Sequence, residues 1–308
     1  MKILVTGGAG FIASHITDAF ITAGHHVAVV DDLSSGRREN LHPQARFYPL
    51  DVQAPGIAEV FERETPEVLC HHAAQMDVRR SVADPLFDAR VNLLGLLNLM
   101  EHGRRHGLKR VLLASTGGAI YGEQVTFPAP ETHATAPLSP YGVAKLASER
   151  YLFFYHATYG ISYAAMRYAN VYGPRQNPHG EAGVVAIFAE KLLRGEQPVI
   201  NGDGRQTRDY VYVGDLVRAN LALLESDFTG ALNLGTGVET DVNTIYRLLT
   251  RLCGSAAPER HGPAKSGEQL RSVIDSGLAQ RLIGWRPQVS LEDGLRETVT
   301  FFRSRTGA

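Results

Sequence analysis

Tyr141 and Lys145 stand four residues apart in Ser139-Pro140-Tyr141-Gly142-Val143-Ala144-Lys145, so on a helix they share a face. A free phenol, with a pKa near ~10, is a poor base at neutral pH. An adjacent ammonium favours the phenolate, and Tyr141 then becomes a candidate general base for a hydroxyl group. Tyr-x-x-x-Lys alone is common and equally describes a helix that carries both residues by chance. It gains meaning from Lys2-Ile3-Leu4-Val5-Thr6-Gly7-Gly8-Ala9-Gly10-Phe11-Ile12-Ala13, which reads as a strand, a glycine turn and a helix start. Gly8 to Ala13 fits G-x-G-x-x-G/A, where glycines let backbone N–H groups approach a pyrophosphate and the helix presents its positive end. Together the motifs place a nicotinamide dinucleotide beside an activated tyrosine.

Other positions extend this site. Asp31 closes the second apolar segment. A carboxylate there accepts both ribose hydroxyls and repels a 2′-phosphate, which favours NAD over NADP. Arg37 and Arg38 are the opposing signal, and they equally suit a solvated loop. Asp51-Val52 ends the third strand, where a carboxylate can meet the adenine amino group. Ala73-Ala74 follow the fourth with side chains small enough for the backbone to pass close to the cofactor. Ser115-Thr116 ends another strand. A hydroxyl there can relay a proton to Tyr141, or can serve the turn before Gly117-Gly118.

The elements that must hold these residues are legible as alternating segments. Strands are expected at Lys2–Thr6, His26–Val30, Phe47–Leu50, Val68–His71, Arg110–Ala114 and Ser162–Arg167. Helices are expected at Phe11–Ala23, Ile57–Arg63, Phe87–His106 and Tyr141–Tyr159. Continuous apolar strands between helices predict an α/β fold, a doubly wound parallel sheet of Rossmann type with ligands at its carboxyl edge. Residues 1–170 form this expected NAD-binding domain, with a segment near 211–237 returning to it and Ala231–Gly235 rejoining the sheet. Residues 171–308 form a smaller α/β substrate lobe, with loops over 173–183 and 201–209 and helices over 184–194, 214–225, 241–252 and 292–303.

A net charge of −1 gives no electrostatic case for nucleic acid or an anionic membrane as partner. No apolar run is long enough to span a bilayer, and the N-terminal one runs directly into glycines, unlike a signal peptide. Cys70 and Cys253 lack CxxC spacing, which argues against a zinc site and for a reducing, cytoplasmic location.

The stretches Thr6–Ala13, Asp31–Gly36, His72–Gln75, Ser115–Glu123, Ser139–Lys145, Arg167–Arg175, Arg208–Asp215 and Asn233–Gly237 occur in the order of a known family. The chain resembles the extended short-chain dehydrogenase/reductases of the NAD-dependent epimerase/dehydratase kind. Among them it is most similar to bacterial and archaeal UDP-glucose 4-epimerases. The resemblance implies a retained NAD and a Tyr141 that deprotonates the 4-OH of a UDP-hexose while hydride leaves C4. The 4-keto sugar then turns over and hydride returns to its other face. It implies that Lys145 bonds the nicotinamide ribose, with Thr116 or Ser115 as the hydroxyl partner.

The cofactor set implied is Gly7, Gly10, Phe11, Ile12, Asp31, Asp32, Ser35, Gly36, Asp51, Val52, Ala73, Ala74, Gln75, Asn92 and Tyr168, with Tyr141 and Lys145. The UDP-sugar set implied is Asn170, Val184, Val185, Arg208, Tyr210, Lys265 and Arg271. The resemblance also implies a homodimer through Phe87–His106 and Tyr141–Tyr159. The second of these carries Leu152, Phe153, Phe154 and Tyr155, more apolar surface than one buried face requires.

The sequence departs from the family pattern at three places. Gly117 occupies the usual Ser/Thr position, which predicts a loop longer by one residue with Thr116 supplying the hydroxyl. Lys265-Ser266-Gly267-Glu268 replaces Arg-x-Gly-Asp/Glu, shifting phosphate binding towards Arg271. Met76 replaces a lysine. A 4,6-dehydratase on this scaffold needs an Asp-Glu pair after the Ser/Thr, where this chain has Gly117-Gly118. A UDP-glucuronate epimerase or decarboxylase and a catalytically silent NAD(H)-binding regulator remain alternatives.

Overall fold

A computed structural model describes residues 1–178, 183–264 and 269–306. Strands β1 (Lys2–Thr6), β2 (His26–Val30), β3 (Arg46–Tyr48), β4 (Val68–His71), β5 (Arg110–Thr116) and β6 (Ser162–Tyr168) form a parallel sheet. A late strand, β10 (Gly230–Leu234), joins it beside β6, giving the order β10-β6-β5-β4-β1-β2-β3. The order reverses at β1 and β4, which places the topological switch point at the carboxyl ends of these two strands.

Alternate strand residues feed two apolar layers. Ile3, Val5, Leu112 and Met166 pack beneath α1 (Phe11–Thr22) and α9 (Val213–Glu225). Leu4, Val30, Val111 and Leu113 pack beneath α2 (Ile57–Glu64), α5 (Gly95–Arg105) and α7 (Pro140–Tyr159). Both faces are covered, which is why the strands read as continuous apolar runs.

The helix expected over Phe87–His106 is instead three pieces. A short α3 (Val78–Ala83) precedes α4 (Pro85–Ala89), and a wide π turn over Arg90–Leu94 leads into α5. Pro85 at the start of α4, capped by Asp84, sets the earlier beginning. The inserted π turn preserves the apolar periodicity on either side, so the sequence hides it.

The remaining segments build a second layer around β9 (Thr207–Tyr212). Its first half pairs with β11 (Glu239–Asp241) and β13 (Arg271–Ser272), its second with β7 (Asn170–Tyr172). The expected loop over 201–209 therefore ends in a strand. Two-residue strands β8 (Ile200–Asn201) and β12 (His261–Gly262) pair with each other. The helices α8 (Val184–Leu193), α10 (Val242–Cys253) and α12 (Leu291–Thr306) share one core with Tyr172, Tyr210 and Tyr212. Two short helices, α6 (Gly117–Ile120) and α11 (Gly277–Ile283), and a 3₁₀ turn over Arg38–Asn40 complete the described elements. No described helix is long and apolar enough to cross a membrane, and no three His, Cys, Asp or Glu side chains among the described residues gather as a metal site.

Candidate active site

The Tyr–Lys pair is placed by the start of α7. Ser139 caps the helix by accepting from Gly142 N at 3.2 Å, and Pro140 occupies its first position. Gly142 is required by a close approach: a Cβ there would lie 2.8 Å from both Ala119 O and Pro137 Cβ. The first turn of α7 is thereby pressed against α6, directly after β5. Tyr141 is half-buried at the carboxyl edge of the sheet. Lys145 is buried, donates from Nζ to Ala114 O at 2.9 Å, and lies 5.8 Å from the Tyr141 ring centre. Burial, followed by the Asp88 charge, pushes the Tyr141 phenol up. Burial pushes the Lys145 ammonium down to about 8, against the pull of Asp88. Without further positive charge Tyr141 stays protonated. A cationic ring beside it would supply the missing term.

The two candidate hydroxyls separate cleanly. Ser115 Oγ donates to Glu149 at 2.6 Å inside a buried network, in which Arg167 donates to both Glu149 oxygens at 3.1 and 2.7 Å and to Tyr121 OH at 3.0 Å. Thr116 ends β5 and faces the opposite way. The strand continues through Thr116 and α6 begins at Gly117. A Cβ placed on Gly118 would meet Thr116 Oγ1, Asn170 Oδ1 and Ser272 Oγ at 3.8–3.9 Å. Three polar side chains thus surround a space that Gly118 leaves open. Ser272 had no signal in the sequence reading, because only the β13–β9 pairing brings it there.

The glycine turn has the shape its pattern predicts. Gly7 adopts φ +73°, and a Cβ on it would lie 2.7 Å from Ala73 N, so β1 and the loop after β4 cross at backbone contact. Gly10 precedes α1, whose first turn carries no capping side chain and no acidic residue. Its N–H groups and the helix dipole are available to an anion. Phe11 and Ile12 pack into the flanking cores. Asp31 is buried and accepts from Ala9 N at 2.9 Å and Leu33 N at 2.8 Å, leaving lone pairs for ribose hydroxyls. Burial pushes its carboxyl up. Gly36 closes against it, and Ser35 is exposed at the rim. These residues fit a dinucleotide.

Several expected cofactor residues also make contacts within the fold. Asp32 is exposed and accepts from Ser34 N and Oγ at 2.9 and 2.6 Å. Asp51 is exposed and accepts from Gln53, while Val52 is buried against Gly95. The Asn92 amide accepts from Gln75 N at 2.9 Å and donates to Gln75 O and to Asp88 Oδ1, each at 2.9 Å, which pins the loop carrying Ala73 and Ala74. The Tyr168 hydroxyl accepts from Asn220 at 3.0 Å and lies 3.1 Å from His72 Nε2, so it is engaged within the fold. Arg37 pairs with Glu39 at 3.6 Å, and Arg38 lies over Phe47.

The expected substrate residues converge on the second sheet. Asn170 and Tyr210 are register partners, Arg208 pairs with Ser272, and Arg271 with Thr207. Arg271 forks onto Glu239 with two contacts of 2.9 Å and stacks at 3.7 Å over Phe127. Val184 is half-buried, and Val185 is buried in the core shared by α8, α10 and α12. Lys265 lies outside the described residues.

A parallel sheet with a glycine turn at its switch point and a Tyr–Lys pair on the same edge defines a Rossmann-type dinucleotide-binding protein built for hydroxyl chemistry. The chain belongs to the NAD dependent epimerase/dehydratase family, whose model matches residues 3–235. It is 42% identical to the UDP-glucose 4-epimerase of Mycolicibacterium smegmatis, over 99% of this chain and 100% of that one. The structure of a UDP-glucose 4-epimerase from Thermotoga maritima with UDP-glucose superposes with a TM-score of 0.97 at 48% identity, over 99% of this chain and 100% of that one. For a UDP-glucose 4-epimerase from Thermus thermophilus in complex with NAD, the TM-score is 0.94 and the identity 44%, over 98% of this chain and 99% of that one.

Proposed function

We propose that the chain catalyses NAD-dependent epimerisation at C4 of a UDP-hexose, interconverting UDP-galactose and UDP-glucose through a 4-keto sugar. The observation that carries this reading is the packing of the Tyr141–Lys145 pair at the carboxyl end of β5, next to a space left by Gly118 that Thr116, Asn170 and Ser272 line. The Gly7–Ile12 turn, Asp31, Gly36, Ala73 and Ala74 would hold NAD, which supplies the hydride acceptor and, on return, the donor. Tyr141 accepts the proton of the 4-OH and returns it to the same oxygen once the keto sugar has turned over. Lys145 lowers the cost of the phenolate, and Thr116 bonds the reacting oxygen. Asn170, Arg208, Tyr210 and Arg271 bind the nucleotide diphosphate, where an arginine fork matches phosphate geometry. Gly117-Gly118 opens α6 without the acid–base pair that dehydration at C5–C6 needs.

Residues 1–170 with the strand β10 form the cofactor domain in this reading, and most of 171–308 the substrate lobe. The active species is a homodimer. Support comes from exposed Leu86, Leu94, Val143, Phe153 and Phe154, carried by the α4–α5 segment and by α7.

Purified protein given UDP-galactose without added NAD should form UDP-glucose. Tyr141→Phe should lose about 10²–10⁴-fold in turnover while keeping its cofactor. No product, even after NAD is supplied, would sink the epimerase reading.

A further inference from the structure

Asp88 has no part in the chemistry described so far, yet it is fully buried on α4, which packs against α7. Its Oδ1 accepts from Gln75 Nε2 at 3.0 Å and from Asn92 Nδ2 at 2.9 Å. Its Oδ2 is also buried and has no hydrogen-bond partner among the described residues. If Asp88 only clamped these two amides, a neutral acceptor would serve, and it would cost less to bury than a carboxylate. The retained carboxylate calls for a charge to answer. That charge is Lys145, an ammonium buried to 3% exposure whose one hydrogen bond among the described residues goes to Ala114 O.

We propose that Asp88 is a positioning residue for the Tyr141–Lys145 pair: a buried counter-charge, fixed by Gln75 and Asn92, that keeps Lys145 protonated at working pH. The inference rests on the roles given above to Tyr141 and Lys145. Asp88 is the one carboxylate that acts on Lys145 among the described residues, and its attraction opposes the burial that pushes the ammonium down. The same anion raises the Tyr141 phenol, and while burial pushes the Asp88 carboxyl itself up, the Gln75 and Asn92 amides and the Lys145 charge favour its ionised form.

The other ionisable groups around the pair do not substitute for it. His71 and His72, next to Lys145, are held neutral by burial. On α7, Glu149 is engaged by Arg167 at 2.7 Å. On α3, Arg79 and Arg80 are exposed, with Arg80 stacked on Phe87 at 4.1 Å. The arrangement explains why the π turn falls at Asn92. The wider turn lets one amide reach both the Gln75 backbone and the Asp88 carboxylate.

Asp88→Asn separates charge from clamp, because an amide oxygen still accepts from both Gln75 and Asn92. Removing the anion lowers the pKa of the phenol and of the ammonium together. Both limbs of the kcat–pH profile should therefore move to acid, by about one pH unit, the scale on which a nearby charge shifts a buried group. The limbs belong to the coupled pair rather than to either residue. A clamp without an electrostatic role would lower the maximum and leave the limbs in place.

A second readout needs no turnover: the phenolate absorbance of NAD-loaded protein, with the Tyr141→Phe spectrum subtracted, titrated in wild type, Asp88→Asn and Asp88→Ala. An acid shift of the midpoint in either Asp88 variant supports the proposal, even if the wild type does not epimerise UDP-galactose. That result would leave the substrate reading alone at fault. Unchanged midpoints overturn the proposal whatever the activity.

Discussion

Glu149→Ala tests whether the network beneath the active site is what holds it. Glu149 and Arg167 are both 6% exposed at their side chains, and the carboxylate accepts three hydrogen bonds, from Ser115 Oγ, Arg167 Nε and Arg167 Nη2. The substitution leaves Ser115 unpartnered and Arg167 as a buried cation with only Tyr121 OH and, at 3.5 Å, Glu131 O to receive its protons. Breaking a buried ion pair from one side costs about 3–5 kcal/mol, mostly the price of the uncompensated charge. At roughly 2–4 °C per kcal/mol for a large domain, the melting midpoint should fall by about 6–20 °C. Adding Arg167→Met on that background should recover part of the loss, since the stranded cation is gone. Differential scanning calorimetry and urea titration of the three proteins measure this. Because Ser115 adjoins Thr116 and Glu149 lies one helical turn beyond Lys145, kcat should fall more than KM rises. A loss below about 1 kcal/mol in the single variant would refute the reasoning, for it would mean that water reaches Arg167 at little cost.

Gly142→Val should cut kcat at least about tenfold with NAD still bound, because a Cβ cannot fit 2.8 Å from Ala119 O without moving the turn that carries Tyr141. Steady-state kinetics with a cofactor assay on the same sample checks it. Glu239→Gln should weaken the fork that occupies Arg271 and lower KM for a UDP-sugar about two- to fivefold, the scale of an exposed ion pair. An unchanged KM would place Arg271 outside the diphosphate site. Phe154→Glu puts a charge in the exposed apolar face of α7 and should convert a dimer to a monomer in sedimentation velocity. A variant that sediments as the wild type does would rule that face out.

Much of the main sheet was legible because its strands are buried on both sides. Lys2–Thr6, His26–Val30 and Val68–His71 match their expected bounds, and Ala231–Gly235 lies within one residue of β10. The strand Thr207–Tyr212 was not legible. Its Arg208 and Asp209 look like loop residues, but Asp209 is buried and satisfied by Thr236 and Gly237, partners that only the folded chain supplies. The site divided along similar lines. Motif spacing located Tyr141, Lys145 and the glycine turn, whose roles depend on local geometry. It gave no sign of the internal partners of Asn92, Ser115 and Asp32, because those are set by which neighbour claims the side chain. Asp88 and Ser272 escaped for the opposite reason: neither belongs to a local pattern, and each matters only through strands or helices far away in sequence.

The late arrival of β10 has a consequence for biogenesis. Until residue 234 has left the ribosome, β6 is the rim of the growing sheet, and its Ser162–Tyr168 segment offers a row of unpaired amides and carbonyls flanked by apolar side chains. A nascent or truncated chain ending near residue 170 therefore carries every cofactor motif but an unguarded template for adding strands from other molecules. The pairing that closes this rim spans more than sixty residues of intervening lobe, a long loop whose closure slows folding. Such fragments should aggregate rather than bind dinucleotide, and chaperone demand should peak in this window of synthesis.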